Sequence, residues 1–236
     1  MSFEDFDIDN LAAYLHLAPQ QVSRLADRGK LPGRKVAGQW RFARAEIHQW
    51  LEERIGLSGE EELVEVEQVL RRSGGPEATA DVVIADLLPL EAIAIPLPAR
   101  TRNSVFGAIV EAAERTGWLW DPVKMEEAIR AREEMHSTAL DIGVALLHPR
   151  RPMPSILGQA FLALGRTASG IPFGGAGGGL TDLFFLIASV DERGHLRTLA
   201  RLSRILAAPG FVEALRQATD GPAARDLIAE TESNLR

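Results

Sequence analysis

The chain has 236 residues, 46% hydrophobic and 25% charged, with a net charge of −7, a balance that suits a globular fold and excludes whole-chain disorder. It has no cysteine, which excludes a disulfide scaffold, a cysteine nucleophile and a cysteine-ligated zinc finger. No apolar run reaches the roughly 18 residues of a membrane span, and the acidic start MSFEDFDIDN is unlike a secretory signal, so a cytoplasmic location without membrane insertion is expected.

In chain order, Asp9–Leu15 and Pro19–Arg28 read as two short helices, with Asp9 as the first cap and Gly29 as the stop of the second. Leu11, Ala12 and Leu15 form one inner face, and Val22, Leu25 and Ala26 the other. Only three residues separate them, the spacing of a helix-turn-helix. Two short extended arms around Gly38 then predict a hairpin over residues 34–42. A third helix is expected over Ala45–Arg54, with Ile47, Trp50 and Leu51 inward. Residues 1–56 balance 8 basic against 8 acidic side chains, so the −7 lies entirely beyond them. Between Arg24 and Arg44, however, seven basic residues stand against Asp27 alone.

Leu31-Pro32, then Val36-x-Gly38-Gln39-Trp40-Arg41-Phe42, then Glu46-Ile47-x-x-Trp50-Leu51 resembles the excisionase-type winged helix-turn-helix, related to regulators of the mercury-resistance (MerR) type. The resemblance implies a small α+β DNA-binding domain over 1–56; related three-helix units also serve as protein docking modules. Gln20, Gln21, Ser23 and Arg24 on the second helix would face the major groove, and Lys35, Gln39 and Arg41 on the wing would touch phosphate or the minor groove.

Residues 57–81 read as a connector. Glu60 to Arg72 has helical patterning, acids first and arginines last. Leu63, Val66 and Leu70 form a stripe that packs on a neighbouring domain or makes a short homodimer seam. Ser73-Gly74-Gly75-Pro76 breaks it.

Residues 82–236 alternate helix and strand, the pattern of an α/β domain with a sheet and flanking helices. Asn103 or Ser104 is expected to cap one helix, and Asp121-Pro122 to open the next. Strands are expected at Ile142–Leu147, Ile156–Leu164 and Leu183–Ser189. Helices are expected at His195–Ala207, Val212–Gln217 and Ala224–Glu230. The glycine run Gly174–Gly179 lacks the residues of a phosphate loop and reads as a mobile turn. His16, His48, His136, His148 and His195 lack metal-ligand spacing, so neither metal nor cofactor is expected.

One constellation carries chemistry. His148 leaves the end of a buried strand, where α/β folds place ligands, and its imidazole can act as a nucleophile. Ser137, Thr138, Arg150 and Arg151 are near in sequence and can donate to phosphoryl oxygens.

Arg132-Glu133-x-x-x-Ser137-Thr138, followed by Gly143-Val144-Ala145-Leu146-x-His148, resembles the phosphohistidine motif of the fructose/mannitol-type enzyme IIA domains of the sugar phosphotransferase system (PTS), a group that includes the nitrogen-regulatory IIA proteins. Thr181–Ile187 and His195-Leu196-x-x-Leu199 are similar to later motifs of the group. The resemblance implies that His148 accepts a phosphoryl group from an HPr-type phosphocarrier and that His195 supports it. It implies that Arg132 offsets its charge and that Ser137, Thr138 and Arg150 bind phosphate. Two departures stand out: Leu147 and Pro149 flank His148, where the group has proline before the histidine and a small residue after it. Arg197 stands where some members carry another histidine. The expected protein is a PTS-linked regulator that couples phosphorylation to DNA binding. The alternative is a non-catalytic sensor or scaffold whose IIA-like domain binds proteins or a small anion.

Overall fold

The computed structural model describes residues 5–15, 17–44, 46–47, 49–51, 82–175 and 177–235. The helix expected in the connector and the residues of its expected apolar stripe lie outside these. The chain divides into two units, one within 1–81 and one within 82–236.

In the first unit, helices α1 (Ile8–Leu15) and α2 (Pro19–Asp27) precede an antiparallel hairpin of β1 (Arg34–Val36) and β2 (Gln39–Arg41). A third helix, α3, includes positions 44, 46–47 and 49–51. The cap of α1 is Asp7 rather than Asp9: its Oδ1 accepts from the Asn10 amide at 2.7 Å, and the helix starts one residue earlier than expected. Leu11, Leu15, Val22, Ala26, Leu31, Phe42, Ile47 and Leu51 form the core, while Leu25 and Trp50 are half-buried. The hairpin turns on Ala37 and Gly38, both at positive φ (49° and 80°), the geometry whose twist matches paired strands.

The second unit has a five-stranded mixed sheet in the order β3-β6-β7-β5-β4. Its strands are β3 (Ile93–Ala94), β4 (Ala139–Leu140), β5 (Val144–Leu147), β6 (Phe161–Pro172) and β7 (Leu180–Ala188). Its helices are α4 (Ile84–Leu87), α5 (Arg102–Glu114), α6 (Pro122–Met135), α7 (Glu192–Ala207), α8 (Phe211–Gln217) and α9 (Gly221–Asn234). Phe184, Leu186 and Ala188 of β7 join a core with Phe106 and Ile109 of α5 and Met125 and Ile129 of α6. Leu183, Phe185 and Ile187 alternate to the other side, where α7 packs.

Several expectations shift. Thr101, not Asn103 or Ser104, caps α5, because its hydroxyl accepts from the Ser104 amide at 3.2 Å. The strand expected from Ile156 starts at Phe161. Ile156 ends a 3-10 turn, and Leu157 bridges Leu119, so both bury their side chains outside the five-stranded sheet. Periodicity cannot separate such a buried turn from a strand. The edge strands β3 and β4 have two residues each, too short to leave an alternation in the sequence.

Candidate active site

Strands β5 and β7 run parallel with Leu147 opposite Leu186, so both end on one side of the sheet. His148 is the next residue after β5 and is 3% exposed. Its Nδ1 lies 2.7 Å from the Leu146 carbonyl, which can only accept, so Nδ1 carries the proton. The nucleophilic lone pair is then on Nε2. Asp191 caps α7 by accepting from the Gly194 amide at 2.8 Å, and this sets His195 in the first turn. The His148 and His195 rings are 5.0 Å apart, inclined by 50°. Ser189 Oγ stands 3.2 Å from His195 Nδ1; the sequence places Ser189 at the end of an expected strand without giving it a partner. The loop after His148 is tied back by the Met153 amide donating to the Ser189 carbonyl at 3.0 Å.

The other wall comes from the end of α6. Leu140 pairs with Val144 and Ala139 with Ala145, and the Leu146 amide donates to the Thr138 carbonyl at 3.2 Å. This register continues residues 136–138 toward His148. Arg132, 8% exposed, donates from Nη1 to the His136 carbonyl at 2.9 Å. Ser137 and Thr138 turn their donors toward Glu133. Its carboxylate accepts the Ser137 hydroxyl at 2.7 Å, the Thr138 hydroxyl at 2.7 Å and the Thr138 amide at 3.0 Å. Glu133 is 2% exposed and has Arg102 Nη2 at 3.6 Å. The Arg132-Glu133 pair of the motif contains this residue, but its place in the sequence does not tell which donors it takes. Arg150 and Arg151 are exposed beyond the buried Pro149.

The glycine-rich turn between β6 and β7 packs against this wall. A Cβ on Gly174 would lie 3.5 Å from Ser137, and the Gly177 amide donates to Asp141 at 2.8 Å. A Cβ on Gly177 would fall 2.8 Å from Asp141 Oδ1, and Gly174 and Gly178 sit at positive φ (101° and 67°), so close approach and left-handed backbone account for these three glycines. Among the described residues, no cluster of His, Asp and Glu could hold a metal ion.

In the first unit, Gln20, Gln21, Arg24, Lys35 and Gln39 are exposed, and Ser23 and Arg41 are half-buried. Gln21 also accepts from the Ala18 amide at 2.9 Å at the start of α2. The basic segment is partly neutralised locally. Lys35 Nζ is 3.6 Å from Asp27 and 5.0 Å from the Trp40 ring centre, and Trp40 Nε1 donates to Asp27 at 3.2 Å. Arg34 meets Asp5 at 2.6 Å, and Arg41 stands 3.9 Å from Asp7.

Residues 86–231 match the family model "Phosphoenolpyruvate-dependent sugar phosphotransferase system, EIIA 2", and residues 6–55 match a helix-turn-helix domain. A nitrogen regulatory protein of Bradyrhizobium diazoefficiens is 34% identical over 152 residues, covering 62% of this chain and 94% of that protein. The fructose-specific EIIABC component of Bacillus subtilis is 29% identical over 147 residues, 61% of this chain but only 23% of that protein. Among solved structures, the nitrogen regulatory protein IIA-Ntr of Neisseria meningitidis has a TM-score of 0.56 at 25% identity, over 62% of this chain and 99% of that one. The mannitol IIA of Escherichia coli, at 20% identity and a TM-score of 0.53 over 60% of this chain and 98% of that one, shares the fold.

Proposed function

We propose, from the premise that this chain belongs to the EIIA 2 family of the phosphoenolpyruvate-dependent sugar phosphotransferase system and carries a helix-turn-helix domain before it, that it is a PTS-linked regulator phosphorylated on His148. The observation that carries this reading is the His148 Nδ1–Leu146 hydrogen bond, which leaves Nε2 as the nucleophile beside a second buried histidine. The phosphoryl donor is an HPr-type phosphocarrier. His148 Nε2 attacks phosphorus, an N–P bond forms, and the donor's N–P bond breaks with its electron pair returning to the donor imidazole. In the tautomer that places the His195 proton on Nε2, Ser189 donates to Nδ1 and His195 can pass a hydrogen bond to a phosphoryl oxygen. Arg132 supplies positive charge at a half-enclosed site, and Arg150 extends it at the rim. This role carries a cytoplasmic location. The helix-turn-helix unit would read DNA through α2 and the hairpin, and the phosphoryl charge would alter that binding.

Incubation with enzyme I, a phosphocarrier and labelled phosphoenolpyruvate tests the site. Wild type should take acid-labile, base-stable label. His148→Ala should take none, and His195→Ala should label more slowly. Equal labelling of wild type and His148→Ala would move the acceptor elsewhere. No label on either would favour the non-catalytic sensor.

A further inference from the structure

The last turn of α6 places a cation and an anion on adjacent residues, and both grip the same short segment. Arg132 takes the carbonyl of His136, while Glu133 takes the hydroxyls of Ser137 and Thr138 and the amide of Thr138. A carboxylate shut off from water is tolerated only when its lone pairs are filled and its charge is offset. Here three donors fill it, and Arg102 offsets it at 3.6 Å. Arg102 also donates to the Glu133 carbonyl at 3.1 Å and lies over the Phe173 ring at 5.5 Å, so the clasp is anchored on α5 and on the core. A hydroxyl has one proton. That of Thr138 is given to Glu133, and that of Ser137 to Glu133 at 2.7 Å with the Phe173 carbonyl as a second, longer acceptor at 3.2 Å, so neither can be given at the same time to a bound anion.

We propose that Glu133 is a positioning residue for phosphoryl transfer to His148, an inference that rests on the function proposed above. Glu133 fixes residues 136–138 alongside the end of β5, and Arg132 is held on the carbonyl of that fixed segment. Ser137 and Thr138 serve the site by holding Glu133, not by binding the phosphoryl group. Their hydroxyls and the Thr138 amide are the handles by which a buried charge sets the wall of the pocket.

The two roles predict opposite signs for one substitution. Glu133→Gln keeps the volume but replaces one acceptor with a donor. If Glu133 positions the wall, phosphorylated His148 in the full chain should hydrolyse about tenfold faster, the factor that corresponds to one charge-assisted hydrogen bond. Circular dichroism at the assay temperature checks that the labelled variant is folded, so that faster hydrolysis is not read from unfolded molecules. The transfer kcat should fall while the KM for the phosphocarrier stays within about twofold, since only the acceptor geometry changes. If the two hydroxyls bind the phosphoryl group directly, releasing them from Glu133 leaves the half-life equal or longer, and that result overturns the proposal. Glu133→Asp keeps the charge on a shorter stem and should shorten the half-life about threefold, as for a weakened bond. It decides the matter if the Gln variant does not fold, and an unchanged half-life there also overturns the proposal. Failure of the function itself would be seen first, as wild type that takes no label on His148.

Discussion

Gly143 ends the turn into β5 at φ +79°, a region that costs an L side chain free energy. A Cβ there would fall 2.5 Å from Arg216 Nη2 and 3.1 Å from the Leu180 carbonyl. Arg216 is itself engaged: it donates to the Ile142 carbonyl at 2.7 Å and to Asp182 at 2.9 Å. Its hydrogen bond with Asp182 raises its pKa above the ordinary arginine value. Gly143→Ala should therefore lower stability by about 2 kcal/mol, through backbone strain and a displaced guanidinium. A thermal melt of the full chain tests it, and an unchanged second-unit transition would refute it. Glu232 presents a similar case by charge. It is 5% exposed and accepts from the Ile84 and Ala85 amides at 3.0 and 3.2 Å and from Arg201 at 2.9 Å. Glu232→Ala leaves two amides and a cation without this partner. It should cost about 3 kcal/mol, the range for breaking a buried pair, read as a lower denaturant midpoint.

At the scale of the element, α7 matters most to the site because His195 is in its first turn. Asp191 holds that turn through one cap hydrogen bond. Asp191→Ala should cost about 1 kcal/mol, the usual value of a lost cap. The cost falls where His195 stands, so phosphoryl transfer should slow even at temperatures well below the melting transition, where the variant is folded. Transfer at the wild-type rate would show that the turn holds without its cap. The hairpin of the first unit offers a gain instead. Ala37 is the non-glycine residue in its turn, at φ 49°, and asparagine tolerates that region better. Ala37→Asn should raise the protection of hairpin amides against exchange about twofold, equivalent to about 0.4 kcal/mol.

At the scale of the whole molecule, the proposed regulator needs communication between two units. Coupling between sites typically amounts to about 1–3 kcal/mol, so phosphorylation of His148 should change the affinity for a host DNA fragment by about 5- to 150-fold. Equal affinity of the phosphorylated and unphosphorylated chain would separate the two functions. DNA binding itself should weaken as salt rises, because phosphate contacts release counterions. The salt slope should be modest for so small a basic patch, since Asp27, Asp5 and Asp7 already sit against Lys35, Arg34 and Arg41. If the connector is a dimer seam, Leu63→Lys/Leu70→Lys should lower the sedimenting mass and leave His148 phosphorylation intact.

The sequence by itself determined the two-part organisation, the helix-turn-helix, the alternation of helix and strand and the position of His148 at a strand end. Those features are local: a cap, a three-residue turn, an apolar run and a motif each occupy neighbouring positions. The tertiary structure alone decided the strand order β3-β6-β7-β5-β4, because non-local pairing leaves no periodic trace. It decided that His195 lies against His148 across 47 positions, and which nitrogen of His148 holds the proton, since a main-chain carbonyl sets the tautomer. It also turned Ser137 and Thr138 inward to Glu133. Residue type says that a hydroxyl can donate; only packing says to whom, because the acceptor is whichever buried charge most needs the bond.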